Sequence, residues 1–171
     1  NVKEDNTVMN CYSIGEINGS NSGGILGEGS NSFSQEFSNI DYFTALNFRI
    51  NTGDLIVTNC YSNGDITGER SGGIFGSYAN GANPRFKTIV VTNCYSLGDI
   101  DNDGGGGIFG GYANTINVNN CYSTGDIKGE RSGGILGEYA KISNVNNCYS
   151  KGNIEEYSHG IYGYTPHTDT A

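Results

Sequence analysis

The chain has 171 residues, of which 28 are Gly and 23 Asn but only 2 Pro, and that composition is hostile to long helices because Gly and Asn favour turns. Pro is too scarce and Gly too irregularly spaced for collagen, while 12 Tyr and 7 Phe argue against disorder. A net charge of −9 leaves no basic face for nucleic acid and disfavours anionic membranes, and no apolar run approaches a membrane span, so neither a nucleic-acid partner nor membrane insertion is expected.

The chain opens on Asn1 without a charged-then-apolar leader, so a processed product or an internal part of a longer protein is the expectation. From there one phrase recurs five times. Asn10-Cys11-Tyr12-Ser13 returns at Asn59-Cys60-Tyr61-Ser62, Asn93-Cys94-Tyr95-Ser96, Asn120-Cys121-Tyr122-Ser123 and Asn147-Cys148-Tyr149-Ser150. A Val stands two residues before each Asn: Val8, Val57, Val91, Val118 and Val145. A Gly-acid-Ile phrase follows (Gly64-Asp65-Ile66, Gly98-Asp99-Ile100, Gly125-Asp126-Ile127), and then Gly-Gly-Ile-Leu/Phe-Gly at 23–27, 72–76, 106–110 and 133–137. The fifth copy is eroded to His159-Gly160-Ile161-Tyr162-Gly163. The repeats run about 8–29, 57–79, 91–113, 118–140 and 145–163 of a single domain over 1–171, with an insertion at 30–55. Cysteine spacings of 49, 34, 27 and 27 set the period at 27.

A fixed period of this length marks a repeat architecture, and 27 residues are too few for a helix pair. Each unit instead holds three short β-capable phrases separated by Gly, Asn and Ser. Three strands per turn stacked in register predict an all-β fold, a parallel β-solenoid (β-helix) of about five or six coils. Stacking at about 4.8 Å predicts ladders of Val, Cys and Ile inside with Tyr outside. Asn10, Asn59, Asn93, Asn120 and Asn147 are expected as a corner ladder, because Asn tolerates left-handed backbone and its amide bonds the copy above. Within Gly-Gly-Ile-Leu/Phe-Gly, alternation points the Ile inward and Leu26, Phe75, Phe109 and Leu136 outward or into a corner. One coil alone buries too little to offset its ordering entropy, so only shared burial between coils makes the fold stable.

The Asn-Cys-Tyr-Ser-x-Gly-Asp-Ile and Gly-Gly-Ile-Leu/Phe-Gly phrases together resemble the GLUG repeat of bacterial cell-surface proteins, including regions attached to IgA-cleaving metallopeptidases. They are also similar to arrays in proteins of large DNA viruses. The resemblance spans about Val8 to Gly163, with Ile where the name-giving pattern has Leu. It implies a surface β-solenoid and no catalytic activity of the repeat itself.

Three readings of Cys11, Cys60, Cys94, Cys121 and Cys148 stay open: a ladder of buried thiols packing as apolar residues, disulfides between adjacent coils, or metal ligands. No two lie closer than 27 residues, which is unlike metal-site spacing, and an odd count leaves one unpaired. The thiol ladder is expected, with no metal and no cofactor. The column Glu16, Asp65, Asp99, Asp126, Asn153 invites a cation or solvates freely, but lacks the calcium-roll signature. These acids recur in every repeat, whereas a catalytic pair is a singular feature of a pocket, so no catalytic residue is expected. His159 and His167 stand near the end without a nucleophile motif. The column Met9, Thr58, Thr92, Asn119, Asn146 is too mixed for an ice-binding face.

Tyr12, Tyr61, Tyr95, Tyr122 and Tyr149 form an outward column, with a second set at Tyr78, Tyr112 and Tyr139. Such columns either stiffen the face or serve as a contact platform for protein or glycan. The aromatic-rich insertion, with Phe37, Phe43 and Phe48, is a further contact or capping candidate, as is the 81–87 loop. The expected function is a non-catalytic structural or adhesive module, a stiff rod on the outside of a cell or virion. The alternatives are a polysaccharide-binding or polysaccharide-cleaving β-helix, and an assembly protein stacking through its coil ends into filaments.

Overall fold

Each coil opens with its longest strand, a run that holds the inward Val of the repeat. The computed structural model describes residues 4–28, 52–81 and 87–164. There, β1 (Glu4–Met9), β3 (Thr52–Thr58), β5 (Ile89–Thr92), β7 (Asn114–Asn119) and β9 (Lys141–Asn146) form a parallel sheet in the order β1-β3-β5-β7-β9. After each Asn come two-residue strands, β2 (Tyr12–Ser13), β4 (Tyr61–Ser62), β6 (Tyr95–Ser96), β8 (Tyr122–Ser123) and β10 (Tyr149–Ser150), stacked as a second parallel sheet. Past Ser the coils meet only through single residues: Ile17 with Ile66, Ile100, Ile127 and Ile154 in turn, then the Gly and the Leu/Phe columns. The chain is therefore a parallel β-solenoid, with five coils among the described residues.

Residues in the left-handed region turn the coil at its corners. The first corner is the Asn column, with φ of 50–56° and each Asn Nδ2 donating to the Oδ1 of the preceding coil at 3.2–3.4 Å. The second runs Asn21, Arg70, Gly104, Arg131, Tyr157, and the third contains Tyr78, Tyr112 and Tyr139. Arg and Tyr carry the Cβ penalty of this region, about 1–2 kcal/mol, so stacking with neighbouring coils holds them there.

The interior has two compartments. Val57, Val91, Val118, Cys60, Cys94, Cys121, the Gly-Gly-Ile-Leu/Phe side chains and Ala79, Ala113 and Ala140 fill the larger. Ile17, Ile66, Ile100 and Ile127 form a separate column. Ser and Gly divide them where the walls nearly touch: a Cβ built on Gly24 would lie 3.1 Å from both Ile17 Cδ1 and Ser13 Cβ. The column Gly64, Gly98, Gly125, Gly152 has a different cause, the stacking itself, since a Cβ there would overlap the glycine carbonyl one coil below.

Three expectations are corrected. Phe75, Phe109 and Leu136 are fully buried and Leu26 half-buried; none points outward. The chain bends at the second Gly and the Ile, which breaks the alternation and turns both apolar side chains to the core. The three phrases do not make three comparable strands, because the Gly-acid-Ile and Gly-Gly-Ile phrases are bent at glycine and pair only residue by residue. The insertion is shorter than 30–55, since Thr52–Leu55 already belong to β3 and Leu55 pairs with Ile89 in the core.

The dividing Ser column carries a cost. The hydroxyls of Ser62, Ser96, Ser123 and Ser150 are buried and meet no hydrogen-bond partner. An unpaired buried hydroxyl costs about 1–3 kcal/mol. Size explains the residue, because Ser96 Oγ sits 2.8 Å from where a Cβ on Gly73 would be. Replacing Ser62, Ser96 or Ser123 by Ala is therefore expected to raise the unfolding free energy by about 1 kcal/mol each, measured by denaturant titration. A loss of stability would mean that the hydroxyl is satisfied.

Candidate contact surface

The outward column is built by alternation in the two-residue strands, which sends Cys and Ser inward and Tyr out. Tyr12, Tyr61, Tyr95, Tyr122 and Tyr149 stack with centroids 4.9–5.3 Å apart and planes within 3–11°. Each ring turns its face to the next, so among the described residues the two end rings, Tyr12 and Tyr149, have one stacked neighbour and the others two. The column offers a row of ring edges and phenol hydroxyls, one per coil. Burial, followed by the neighbouring phenols Tyr95 and Tyr149, raises the Tyr122 pKa above its ordinary value.

The second column, Tyr78, Tyr112 and Tyr139, stacks at 5.0 Å, and Tyr164 meets Tyr139 edge-on. Beside it lies the most unusual side chain of the interior. Glu138 is 1% exposed, accepts from Arg70 Nε at 2.6 Å on Oε1, and has Arg131 Nη1 3.3 Å from Oε2. The hydrogen bond to Glu138 raises the Arg70 pKa above its ordinary value. Arg70 also pairs with Glu69 at 2.7 Å and lies 5.7 Å from the Tyr112 ring centroid. Coil 3 makes the room: Gly104 stands between the two Arg in the corner column, and a Cβ there would lie 2.7 Å from Glu138 Cδ. A carboxylate of the fourth coil thus reaches past the third to clamp the second.

That clamp was missed in the sequence, though a signal existed. Coils 2 and 4 read Gly68-Glu69-Arg70-Ser71 and Gly129-Glu130-Arg131-Ser132, while coil 3 reads Asn102-Asp103-Gly104-Gly105. Asn102 is likewise buried, its Nδ2 donating to the Ile66 carbonyl at 2.8 Å.

The acidic column is bonded to the backbone. Asp65, Asp99 and Asp126 accept the N–H of the next coil's Asp99, Asp126 and Asn153 at 2.8–3.0 Å. Lys128 Nζ adds 2.6 Å to Asp99 Oδ2, and this pairing leads the lowering of the Asp99 pKa. Glu16 instead accepts from the Thr67 hydroxyl at 2.7 Å. Among the described residues no three His, Cys, Asp or Glu converge as metal ligands. His159 lies exposed on the fifth coil, its N–H on the Ser132 carbonyl. Phe37, Phe43, Phe48, His167 and most of the 81–87 loop lie outside the described residues.

The five cysteines are free thiols in one column. Cys60, Cys94, Cys121 and Cys148 each donate to the carbonyl two residues back at 3.2–3.4 Å. Burial pushes Cys60 up to about 11. Cys148, on the last coil and half-buried, is lowered to about 7, chiefly by its interaction with the neighbouring Cys121 thiol.

Compared with protein-family models, with curated protein sequences and with solved structures, the chain finds no match.

Replacing Glu138 by Ala is expected to cost about 2–3 kcal/mol in denaturant unfolding, below the loss for a fully buried pair because both Arg reach water. An unchanged midpoint would show that the clamp contributes nothing. In the native protein a maleimide is expected to label Cys11 and Cys148 and to spare Cys60, Cys94 and Cys121 until denaturant is added, with mass spectrometry as the readout. Rapid labelling of Cys94 would contradict the buried column.

Proposed function

We propose that the chain is a non-catalytic structural and adhesive repeat module displayed outside a cell or virion, a stiff rod whose faces contact protein or glycan. The observation that carries this reading is the first Tyr column, five stacked rings repeating one donor and acceptor group at every coil. A repeating row of amphipathic phenols suits an extended partner, since Tyr supplies large rigid area at low entropic cost. The recurrent acids support the non-catalytic part, because Asp65, Asp99 and Asp126 serve as backbone acceptors from one coil to the next. The resemblance to GLUG repeats supports display at a surface.

The test separates contact from stacking. Changing Tyr61, Tyr95 and Tyr122 together to Phe keeps the rings and removes three hydroxyls. Retention of protein-coated beads on glycan and extracellular-protein arrays is expected to fall about tenfold or more, with the melting temperature nearly unchanged. Equal retention by the variant, or release of reducing ends from polysaccharide by the native protein, would overturn the reading. An antibody to the chain is expected to label intact cells or virions of its source; labelling only after permeabilisation would overturn the location.

A further inference from the structure

The five thiols form an internal row of identical groups. Cys11, Cys60, Cys94, Cys121 and Cys148 place Sγ 3.2–3.4 Å from the carbonyl oxygens of Met9, Thr58, Thr92, Asn119 and Asn146 in turn. One side-chain geometry therefore repeats in every coil, and neighbouring Sγ atoms stand one coil translation apart, about 4.8 Å. Cys60, Cys94 and Cys121 are fully buried, among Val57, Val91, Val118 and the Ile and Phe side chains of the larger compartment.

That spacing discriminates among the things two thiols can do. A disulfide needs Cβ atoms about 3.5–4.5 Å apart, and in-register β carbons about 4.8 Å apart lie beyond that reach. A zinc site needs four ligands, and among the described residues no three His, Cys, Asp or Glu converge. A metal held by two collinear thiolates fits, because a metal–thiolate bond is about 2.3 Å long and two in line span about 4.6 Å. Thiolates select soft cations. Two thiolates around a divalent ion also carry no net charge, which suits an apolar interior that penalises one. Losing the thiol protons does not orphan the carbonyls. The Thr58, Thr92, Asn119 and Asn146 oxygens keep the backbone N–H groups of Asn10, Asn59, Asn93 and Asn120 at 3.0–3.2 Å. The Cys60 N–H donates to Cys94 Sγ at 3.4 Å, the kind of donor that favours a thiolate.

We propose that adjacent cysteines of this column form sites for a soft, two-coordinate divalent cation of the mercuric type, each ion lying between one coil and the next. The ion takes the place of two thiol protons, which pass to the buffer: two Cys–SH and one M2+ give Cys–S–M–S–Cys and two H+. No oxidant or reductant takes part. A sulfur already bonded to Cβ and one ion would need a second ion directly opposite the first, against its bent bonding, so no thiol is shared. The column of five thus takes two ions and leaves one thiol over. The site is internal and stands apart from the outward faces through which the module makes contact.

Titration with mercuric chloride, read by native mass spectrometry after desalting, is expected to give a monomer carrying two ions, each in place of two protons. Its far-ultraviolet circular dichroism is expected to stay unchanged. X-ray absorption is expected to find two sulfurs and no other ligand on each ion, and Zn2+ in the same titration to leave the chain unloaded. Four-cysteine variants then test adjacency against mere thiol count. Cys94→Ser leaves Cys11 beside Cys60 and Cys121 beside Cys148, and is expected to keep two ions. Cys60→Ser isolates Cys11, and Cys121→Ser isolates Cys148, so each is expected to hold one paired ion. Cys60→Ala and Cys121→Ala repeat the count with no new hydroxyl in the core. Two paired ions in every four-cysteine variant, ions bridging two chains, a third protein ligand, loss of the β signature on loading, or uptake of Zn2+ would each overturn the proposal.

Discussion

Everything in this molecule depends on one translation. Each coil lies about 4.8 Å from the next, so a residue in one coil has its counterpart in the next as its nearest neighbour. Any residue at a given position must tolerate its own kind directly above and below. Asn does so by amide bonding, Tyr by ring stacking, Ile, Val and Cys by apolar contact, and Gly by having no Cβ where one coil's carbonyl meets the next coil's Cα. The backbone ladder and the columns are two aspects of that constraint, and the 27-residue period is its imprint in sequence.

Charge is the property such stacking tolerates least, and the molecule handles it in two ways. Along the acidic column the carboxylates are set against backbone N–H groups of the next coil, with Lys128 interposed at Asp99. At the second corner the repeat is broken instead. Arg would follow Arg in three successive coils, but the middle coil has Gly104, and the space receives Glu138 between the two guanidinium groups. The departure from the repeat is thus as informative as the repeat, since it marks a place where two alternate coils are clamped through a third.

The outer surface follows from the same translation. A side chain that faces solvent becomes a row, and a row of Tyr becomes a stack whose ring faces are occupied by its neighbours. What remains for a partner is a line of edges and hydroxyls, a different surface from the open ring faces that isolated tyrosines would present.

The period, the parallel solenoid, the inward Val, Cys and Ile columns, the Asn corner and the outward Tyr column were all legible in the sequence, because each is a local preference multiplied by an observed repeat. The bend in Gly-Gly-Ile-Leu/Phe-Gly was not, since alternation assumes a straight strand and two glycines permit either path. Left-handed Arg and Tyr were equally hidden, because their own preference opposes the conformation that the stack imposes. The division of the core by an unpaired Ser column, and the reach of Glu138 across Gly104, were decided only in the folded molecule. Both depend on how closely the opposing walls of a coil approach, and that distance belongs to the assembled stack and to no residue taken alone.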